Sequence, residues 1–153
     1  MNTSLETDAF LTDVRTLLIN STELPELEAK NVVEWHHGES DPLEDTGKGN
    51  AMVKGVAAII FDIGGGEDSA DADLITAEAA IELFVDTTKR RGAGNRKGGQ
   101  IRDSIMRLVH RHSTLRNTAA FCDARVTGYT TLDEEGFAAW RITLSRKIYL
   151  ILD

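Results

Sequence analysis

This sequence of 153 residues contains a single cysteine, Cys122, so no disulfide can form within the chain. The cysteine content therefore does not point to an oxidising compartment. We interpret Cys122 as a small buried hydrophobic residue. No serine–histidine–acid or cysteine–histidine motif is recognisable, so a catalytic triad has no support beyond residue counts.

Long hydrophobic runs are also missing. The longest runs, 56–61 and 148–152, fall far short of the ~20 apolar residues that a membrane-spanning helix needs. The first twenty residues have no basic start followed by an apolar core, and Asp8 and Asp13 interrupt the apolar pattern there. We therefore expect no signal peptide, no membrane partner, and a soluble protein made in the cytoplasm.

The chain nevertheless has enough apolar material for a core. Hydrophobic residues make up 41% of the 153 positions, which fits one globular domain that needs neither disulfides nor a metal ion. We predict a single domain over 1–153, with no cofactor and with long loops at 36–51, 64–73 and 89–99.

Charge is distributed unevenly along the chain. The formal net charge of −8 is the balance of −15 over residues 1–88, +8 over residues 89–116 and −1 over residues 117–153. Five basic residues fall within the nine positions 89–97. Such a reversal of sign within a small protein creates surface potentials that are suited to steering an oppositely charged partner.

The most informative stretch, Ile75 to Ser113, combines a strand, a loop and a helix. Residues 77–86 alternate between apolar and polar side chains, which predicts a strand with one buried face. Apolar residues then recur at helical spacing from Ile101 to His112, which predicts an amphipathic helix that packs on the sheet. The intervening loop is too basic and too rich in glycine to be buried. We therefore predict that it is displayed to a partner.

The remaining pattern predicts an α+β fold. A capping box at Thr3 and Glu6 predicts an N-terminal helix with a buried stripe formed by Phe10, Leu11, Val14, Leu17 and Leu18. A short strand at 31–35, a central strand at 52–63 and a closing hairpin around the turn 133–136 complete the order. The alternation of apolar and polar residues in the last strand shifts at Arg146 and Lys147, which predicts a bulge there. Adjacent strand pairs with helices between them favour a mixed or antiparallel sheet, with the N-terminal helix and the second helix packed on it.

Three patterns that could bind a ligand do not meet the requirements of their motifs. The stretch 92–98 lies where a phosphate-binding loop would lie, but its glycine spacing is wrong and no lysine–serine/threonine pair follows. The run 67–78 has oxygen ligands in the register of a calcium loop, but Ala72 occupies the position of the turn-making glycine. His110 and His112 lie about 200° apart on a helix and cannot share one metal ion as helical neighbours. We therefore predict a solvated acidic loop and no metal site.

The two tryptophans could stack on the bases of single-stranded nucleic acid. Trp140 alternates with apolar positions of the last strand, so we predict that it is buried. Trp35 borders the long loop 36–51 and is the better surface candidate, although burial is the simpler prediction for it too.

The order of these elements resembles that of bacteriophage tail-terminator (tail-completion, head–tail joining) proteins, which are small α+β proteins. The resemblance covers most of the chain and rests on residues 10–18, 56–63, 77–86, 101–112 and 140–144. It implies a structural protein of the virion tail or neck that has no catalytic residues. It also implies a ring of identical subunits, commonly a hexamer, that caps the finished tail tube and provides the surface for joining the head or neck connector.

The resemblance further implies that large loops contact neighbouring subunits, the tail tube and the connector. For this role we select the charged residues of the three loops, namely Lys89, Arg90, Arg91, Arg96, Lys97, Glu39, Asp41, Glu44, Asp45, Glu67, Asp68, Asp71 and Asp73. A protein partner is favoured because the acidic remainder of the chain should repel a polyanion. The alternative function is a nucleic-acid-binding module that uses the basic loop 89–97. In the ring, DNA would do no more than pass through the lumen.

Overall fold

The computed structural model describes residues 4–40, 55–67, 73–86, 96–114 and 123–149. Within these residues it contains two helices and a five-stranded mixed sheet, so the predicted α+β class is confirmed. The elements in chain order are α1 (Ser4–Ile19), β1 (Val32–Trp35), β2 (Val56–Glu67), β3 (Leu74–Asp86), α2 (Gly98–Thr114), β4 (Arg125–Glu134) and β5 (Phe137–Tyr149).

The sheet has the strand order β1-β2-β3-β5-β4. β1 is parallel to β2, with Val32 opposite Ala58. The other three pairs are antiparallel. The predicted closing hairpin is present as β4 and β5, joined by the two-residue turn Glu135–Gly136.

Both helices pack on one face of the sheet. Successive side chains of a strand point to opposite faces, and alternate residues of β5 supply Trp140, Ile142, Leu144 and Ile148 to the core. The predicted stripes of both helices meet this face, because Phe10, Val14, Ile101, Ile105 and Leu108 belong to the same cluster. Burying each such large side chain contributes about 1.5–3 kcal/mol. The predicted burial of Trp140 is confirmed, since it is only 9% exposed.

A smaller apolar cluster lies on the opposite face of the sheet. Its buried members are Ile59, Phe84 and Ala139. Trp35 and Phe61 pack at its border, with their ring centroids 5.7 Å apart. The indole Nε1 of Trp35 also donates a 2.8 Å hydrogen bond to the backbone oxygen of Glu39. Trp35 is therefore a partly buried packing residue.

The predicted bulge at Arg146 and Lys147 is wrong. β5 pairs with β3 without a register shift from Phe137 to Tyr149. Arg146 takes an inward position at the margin of the core, where its guanidinium lies 4.9 Å from the Phe10 ring centroid and its Nη2 donates a 2.7 Å hydrogen bond to Asp13. An aromatic face and a carboxylate can accommodate an inward arginine, so the strand does not need a bulge.

The predicted loops 64–73 and 89–99 are both too long. Residues 64–67 belong to β2 and pair with 75–78 of β3. The ladder shifts register once, at Asp62–Gly64, and then continues through the glycines. Glycine suits position 65 because a Cβ there would lie 2.7 Å from the backbone oxygen of Thr76. At the other loop, α2 begins at Gly98 and takes up its last two residues.

Candidate interaction surfaces

The structure describes five of the thirteen predicted site residues. Glu39 is exposed just after β1, Glu67 ends β2, and Asp73 is exposed in the turn before β3. Arg96 and Lys97 immediately precede α2. The other predicted residues lie outside the described residues, and they are Asp41, Glu44, Asp45, Asp68, Asp71, Lys89, Arg90 and Arg91.

Arg96 makes an intramolecular contact that the sequence analysis missed. Its Nε and Nη2 each donate a 2.6 Å hydrogen bond to the carboxylate of Glu26, whose side chain is only 9% exposed. Nη1 donates to Ser104 Oγ of α2 at 2.8 Å, and Nη2 also donates to the backbone oxygen of Glu23 at 3.0 Å. The hydrogen bond to Glu26 raises the pKa of Arg96 above its usual range. Arg96 thus joins the segment after α1 to the start of α2, a structural use that its place in a basic loop did not suggest.

A second ion pair joins the same two parts of the chain at the surface. Arg111 of α2 donates through Nη1 to Glu23 Oε1 at 2.7 Å and through Nη2 to Glu23 Oε2. The hydrogen bond from Arg111 lowers the pKa of Glu23. Both side chains are about half exposed, so water weakens this pair relative to the partly buried Arg96–Glu26 pair.

Lys97 differs from Arg96 because its side chain is exposed. Its backbone N–H donates a 2.8 Å hydrogen bond to Oε1 of Gln100, which caps the first turn of α2. Of the two basic residues described in the predicted loop, Lys97 is therefore the one presented to solvent.

A cleft of about 260 Å³ lies beside the end of β1 and is lined by Trp35, His36, His37, Gly38, Phe61 and Asp62. The two imidazole side chains of the predicted loop 36–51 thus border an aromatic wall. His36 is already engaged with the surrounding elements, because its Nδ1 lies 3.1 Å from Asp8 of α1 and its Nε2 lies 3.4 Å from Glu34. Thr12 of α1 donates a 2.7 Å hydrogen bond to the same Glu34. These contacts make His36 a link between α1 and β1.

The outer edge of β4 is an exposed surface that the sequence analysis did not identify. β4 is the last strand in the sheet order, and among the described residues only β5 pairs with it. Every second residue of an edge strand directs its N–H and C=O groups away from the sheet. Seven of the ten β4 residues are exposed, including Tyr129 at 50%. The uncharged run 126–132 was the signal in the sequence, since charge commonly protects an edge strand.

Among the described residues, the opposite side of the sheet has an unpaired edge over only part of its length. β1 pairs with β2 no further than Phe61, and its own outer edge is capped by α1, because Arg15 Nε donates a 2.8 Å hydrogen bond to the backbone oxygen of Val32. Beyond Phe61, the described partner of β2 is β3 alone. This end of β2 contains a bulge at Asp62–Gly64, and Ile63 within it is 38% exposed.

Within the described ranges, no cluster of three or more histidine, cysteine, aspartate or glutamate side chains has the geometry to hold a metal ion. Neither described helix has the length and apolarity needed to cross a membrane. Scans of protein-family models and of curated protein sequences found no match to this chain.

Proposed function

We propose that this protein is a structural subunit of a bacteriophage virion that resembles tail terminators. Copies of the chain form a ring that caps the tail tube and joins the tail to the head or neck. The observation that supports this proposal is the order of elements in the fold. An N-terminal helix, a sheet, a second helix on the same sheet face and a closing hairpin follow one another, which is the order that the family resemblance implies.

The distribution of charge supports contacts between identical subunits. The first 88 residues carry −15 and residues 89–116 carry +8, so each copy offers both the acidic and the basic side of a complementary contact. Lys97 is exposed on the basic part, and Glu39 is exposed on the acidic part. Complementarity of this kind orients subunits and speeds their association.

Ring formation is tested by native mass spectrometry and sedimentation velocity over a range of concentrations, with and without any tail-tube protein that a neighbouring gene encodes. We expect a closed ring, visible by negative-stain electron microscopy, that binds one end of the tube. A chain that stays monomeric under all these conditions contradicts the proposal. Neighbouring genes that encode no tail or capsid protein also count against it.

The nucleic-acid-binding alternative predicts a different result. DNA binding through the basic loop would weaken steeply with salt, because neutralising phosphates releases counterions. Arg96 is held by Glu26, which leaves fewer cations in this loop for phosphate contacts than the sequence analysis assumed. We expect no retention of the protein on DNA at physiological salt, and retention that falls with salt would favour the alternative.

A further inference from the structure

We propose that the cleft beside the end of β1 binds the guanidinium group of Arg125 from a neighbouring copy of this chain. Trp35, Phe61 and Asp62 are among the residues that line this cleft. The inference rests on the proposed ring and names one contact between its subunits.

The chemistry of the cleft suits a guanidinium group. Trp35 and Phe61 form a wall of two aromatic rings, and Asp62 supplies a carboxylate beside it. Phe61 already contacts one such group, because the guanidinium of Arg141 lies 5.6 Å from its ring centroid. Aromatic faces attract a planar cation, and a carboxylate can bind the same cation through two parallel hydrogen bonds.

Hydrogen bonds within the chain order the cleft before a partner binds. The indole Nε1 of Trp35 donates to the backbone oxygen of Glu39 at 2.8 Å, and the N–H of Glu39 donates to the backbone oxygen of His36 at 3.1 Å. The N–H of Gly64 donates to Oδ1 of Asp62 at 2.8 Å, which orients that carboxylate. A site that is ordered in advance loses less conformational entropy when it binds.

Charge around the cleft favours a cation over an anion. Asp8 and Glu34 contact His36 in the cleft wall, and Glu39 is exposed next to it. The nearby cation Arg141 is paired with Glu82 at 2.7 Å. The carboxylates therefore outnumber the cations here, and their field attracts a positive group.

The size of the cleft suits a single side chain. Its volume of about 260 Å³ lies below the range of roughly 300–1,000 Å³ that is typical of pockets for drug-sized molecules. We therefore assign it to one arginine side chain of a protein partner.

Two described arginines are available for such a contact. The structure describes eight arginines, and six of them bind groups of their own chain, namely Arg15, Arg96, Arg102, Arg111, Arg141 and Arg146. The other two, Arg107 and Arg125, are exposed and have no hydrogen bond, ion pair or ring contact within the described part of the chain. Arg107 lies on α2 and Arg125 begins β4.

The strand registers place Arg125 level with the cleft. Arg125 pairs with Ser145 of β5, Ser145 pairs with Glu78 of β3, and Glu78 pairs with Gly64 of β2. The row of residues that begins at Arg125 therefore reaches β2 at Gly64, whose N–H binds the Asp62 carboxylate.

Arg125 also lies on the face of the sheet that carries the aromatic wall. Ala124, the preceding residue, belongs to the main core under the helices, and successive side chains of a strand point to opposite faces. Trp35 and Phe61 pack against the smaller cluster on the face opposite that core. Arg107 lies on α2, on the helix side of the sheet. We therefore select Arg125 for the contact.

The positions of Arg125 and the cleft make the partner a second copy. β4 and β1 lie at opposite ends of the strand order, and β2 is next to β1. At least three strand spacings of about 4.8 Å separate β4 from the strands of the cleft, which is further than an arginine side chain reaches. A copy that lies beside another with its sheet in the same orientation brings Arg125 to the cleft of its neighbour. Such head-to-tail contacts close into a ring when the rotation between copies permits.

An assembly experiment compares the two available arginines. Arg125→Gln should lose the ring and sediment as a monomer, whereas the control Arg107→Gln removes the same charge from α2 and should assemble like the parent. Both positions are exposed, so circular dichroism and melting of both variants should match the parent. Exchanging the charges in the double variant Arg125→Glu with Asp62→Arg should restore part of the ring that Arg125→Glu alone loses.

A binding experiment tests the chemistry of the cleft without any assembly. The probe N-acetylarginine amide, added to the monomeric Arg125→Gln variant, should shift the NMR signal of the Trp35 indole N–H. The neutral analogue N-acetylcitrulline amide has nearly the same shape and should cause no shift. Asp62→Asn keeps an oxygen for the Gly64 N–H and should weaken binding of the arginine probe. The control Asp133→Asn changes an exposed carboxylate of β4 and should leave it unchanged.

The outcomes separate this inference from the proposed function. A parent that forms rings while Arg125→Gln forms them equally well overturns the Arg125 contact alone. Equal shifts from the arginine and citrulline probes, or no shift from either, overturn the recognition of a guanidinium group by the cleft. A parent that stays monomeric under all conditions overturns both the ring and the contact.

Discussion

At the scale of single residues, the contact between Gly98 and Trp140 determines how α2 begins on the sheet. A Cβ at Gly98 would lie 2.7 Å from Cη2 and 2.9 Å from Cζ3 of the Trp140 ring. An indole buried in a packed core has little room to move. Glycine at this position therefore allows the first turn of α2 to approach the ring directly.

We predict that Gly98→Ala destabilises the fold by about 1–3 kcal/mol, because the added methyl group overpacks the Trp140 contact. Gly99→Ala is the matched control, since its Cβ would first meet Nη2 of the flexible Arg102 side chain at 3.7 Å. The control should be neutral or slightly stabilising, as is usual for Gly→Ala in a helix. Urea denaturation followed by circular dichroism measures both changes, and equal effects would contradict the close packing at Gly98.

The Trp140 side chain itself should contribute strongly to stability. Trp140→Ala removes a side chain that is 9% exposed in the main core and should cost about 3–5 kcal/mol through lost burial and the cavity left behind. Thr131→Ala is the control, because Thr131 pairs directly with Trp140 across the β4–β5 ladder but is exposed. It should cost less than about 1 kcal/mol. If the Trp140 variant melts like the parent, the face assignment of β5 is wrong.

At the scale of elements, two ion pairs connect the segment after α1 with α2, and they should differ in strength. Arg96→Ala leaves the nearly buried carboxylate of Glu26 without its arginine and should cost about 3 kcal/mol. Arg111→Ala removes the exposed pair with Glu23 and should have a much smaller effect, because water and salt screen an exposed pair. Chemical denaturation of the two variants checks this order, and a smaller loss for Arg96 would show that its pair is not structural.

The exposed Arg111–Glu23 pair should also make the stability of the fold depend on pH. Because the hydrogen bond from Arg111 lowers the pKa of Glu23 in the folded chain, this pair stabilises the fold fully above the pKa of an unfolded glutamate. Its contribution is lost as pH falls through the lowered pKa of the folded state. NMR titration of the Glu23 carboxylate should show a midpoint below that of the same carboxylate in Arg111→Ala. Coincident midpoints would contradict the pairing in solution.

At the scale of the whole molecule, the charge asymmetry should direct assembly towards protein surfaces. Reversing Arg90, Arg91 and Lys97 to glutamate should leave the chain folded but impair ring formation, because acidic surfaces of a neighbour would then repel the loop. Arg96 is excluded from this set. Reversing it would break the Glu26 pair and so destabilise the start of α2, independently of any contact between subunits. Native mass spectrometry measures assembly and melting measures folding.

A compensating charge reversal distinguishes a protein partner of the basic loop 89–97 from a nucleic-acid partner. Reversal of acidic residues Glu44 and Asp45 in the same chain should restore part of the assembly if the two loops meet across subunits. A reversed basic loop that assembles normally but loses salt-sensitive DNA binding would instead favour the nucleic-acid-binding alternative.

Local periodicity in the sequence was sufficient to predict the order of the elements, although β2 extends over Val56–Glu67 and not over the predicted 52–63. The alternation in residues 77–86 and the helical spacing from Ile101 to His112 correctly predicted the strand β3 and the buried stripe of α2. The prediction that β3 has only one buried face was wrong, because Ala80, Phe84 and Asp86 on its other face are buried as well. The same reasoning identified the closing hairpin and the burial of Trp140. These features follow from interactions between near neighbours along the chain, for which the periods of strands and helices are direct signatures.

Contacts between distant parts of the chain could be read only from the tertiary structure. The sequence predicts Arg96 to be one cation of a displayed loop, but in the structure it binds Glu26, which lies 70 residues earlier in the chain. The sequence predicts that glycines 64–66 begin a loop, but pairing with β3 keeps them in a strand. The open edges at Tyr129 and Ile63 likewise depend on the strand order and on where β1 ends. A strand lies at the edge of a sheet when no other strand pairs with one of its sides. Sequence patterns reflect local geometry and do not show which strands become neighbours.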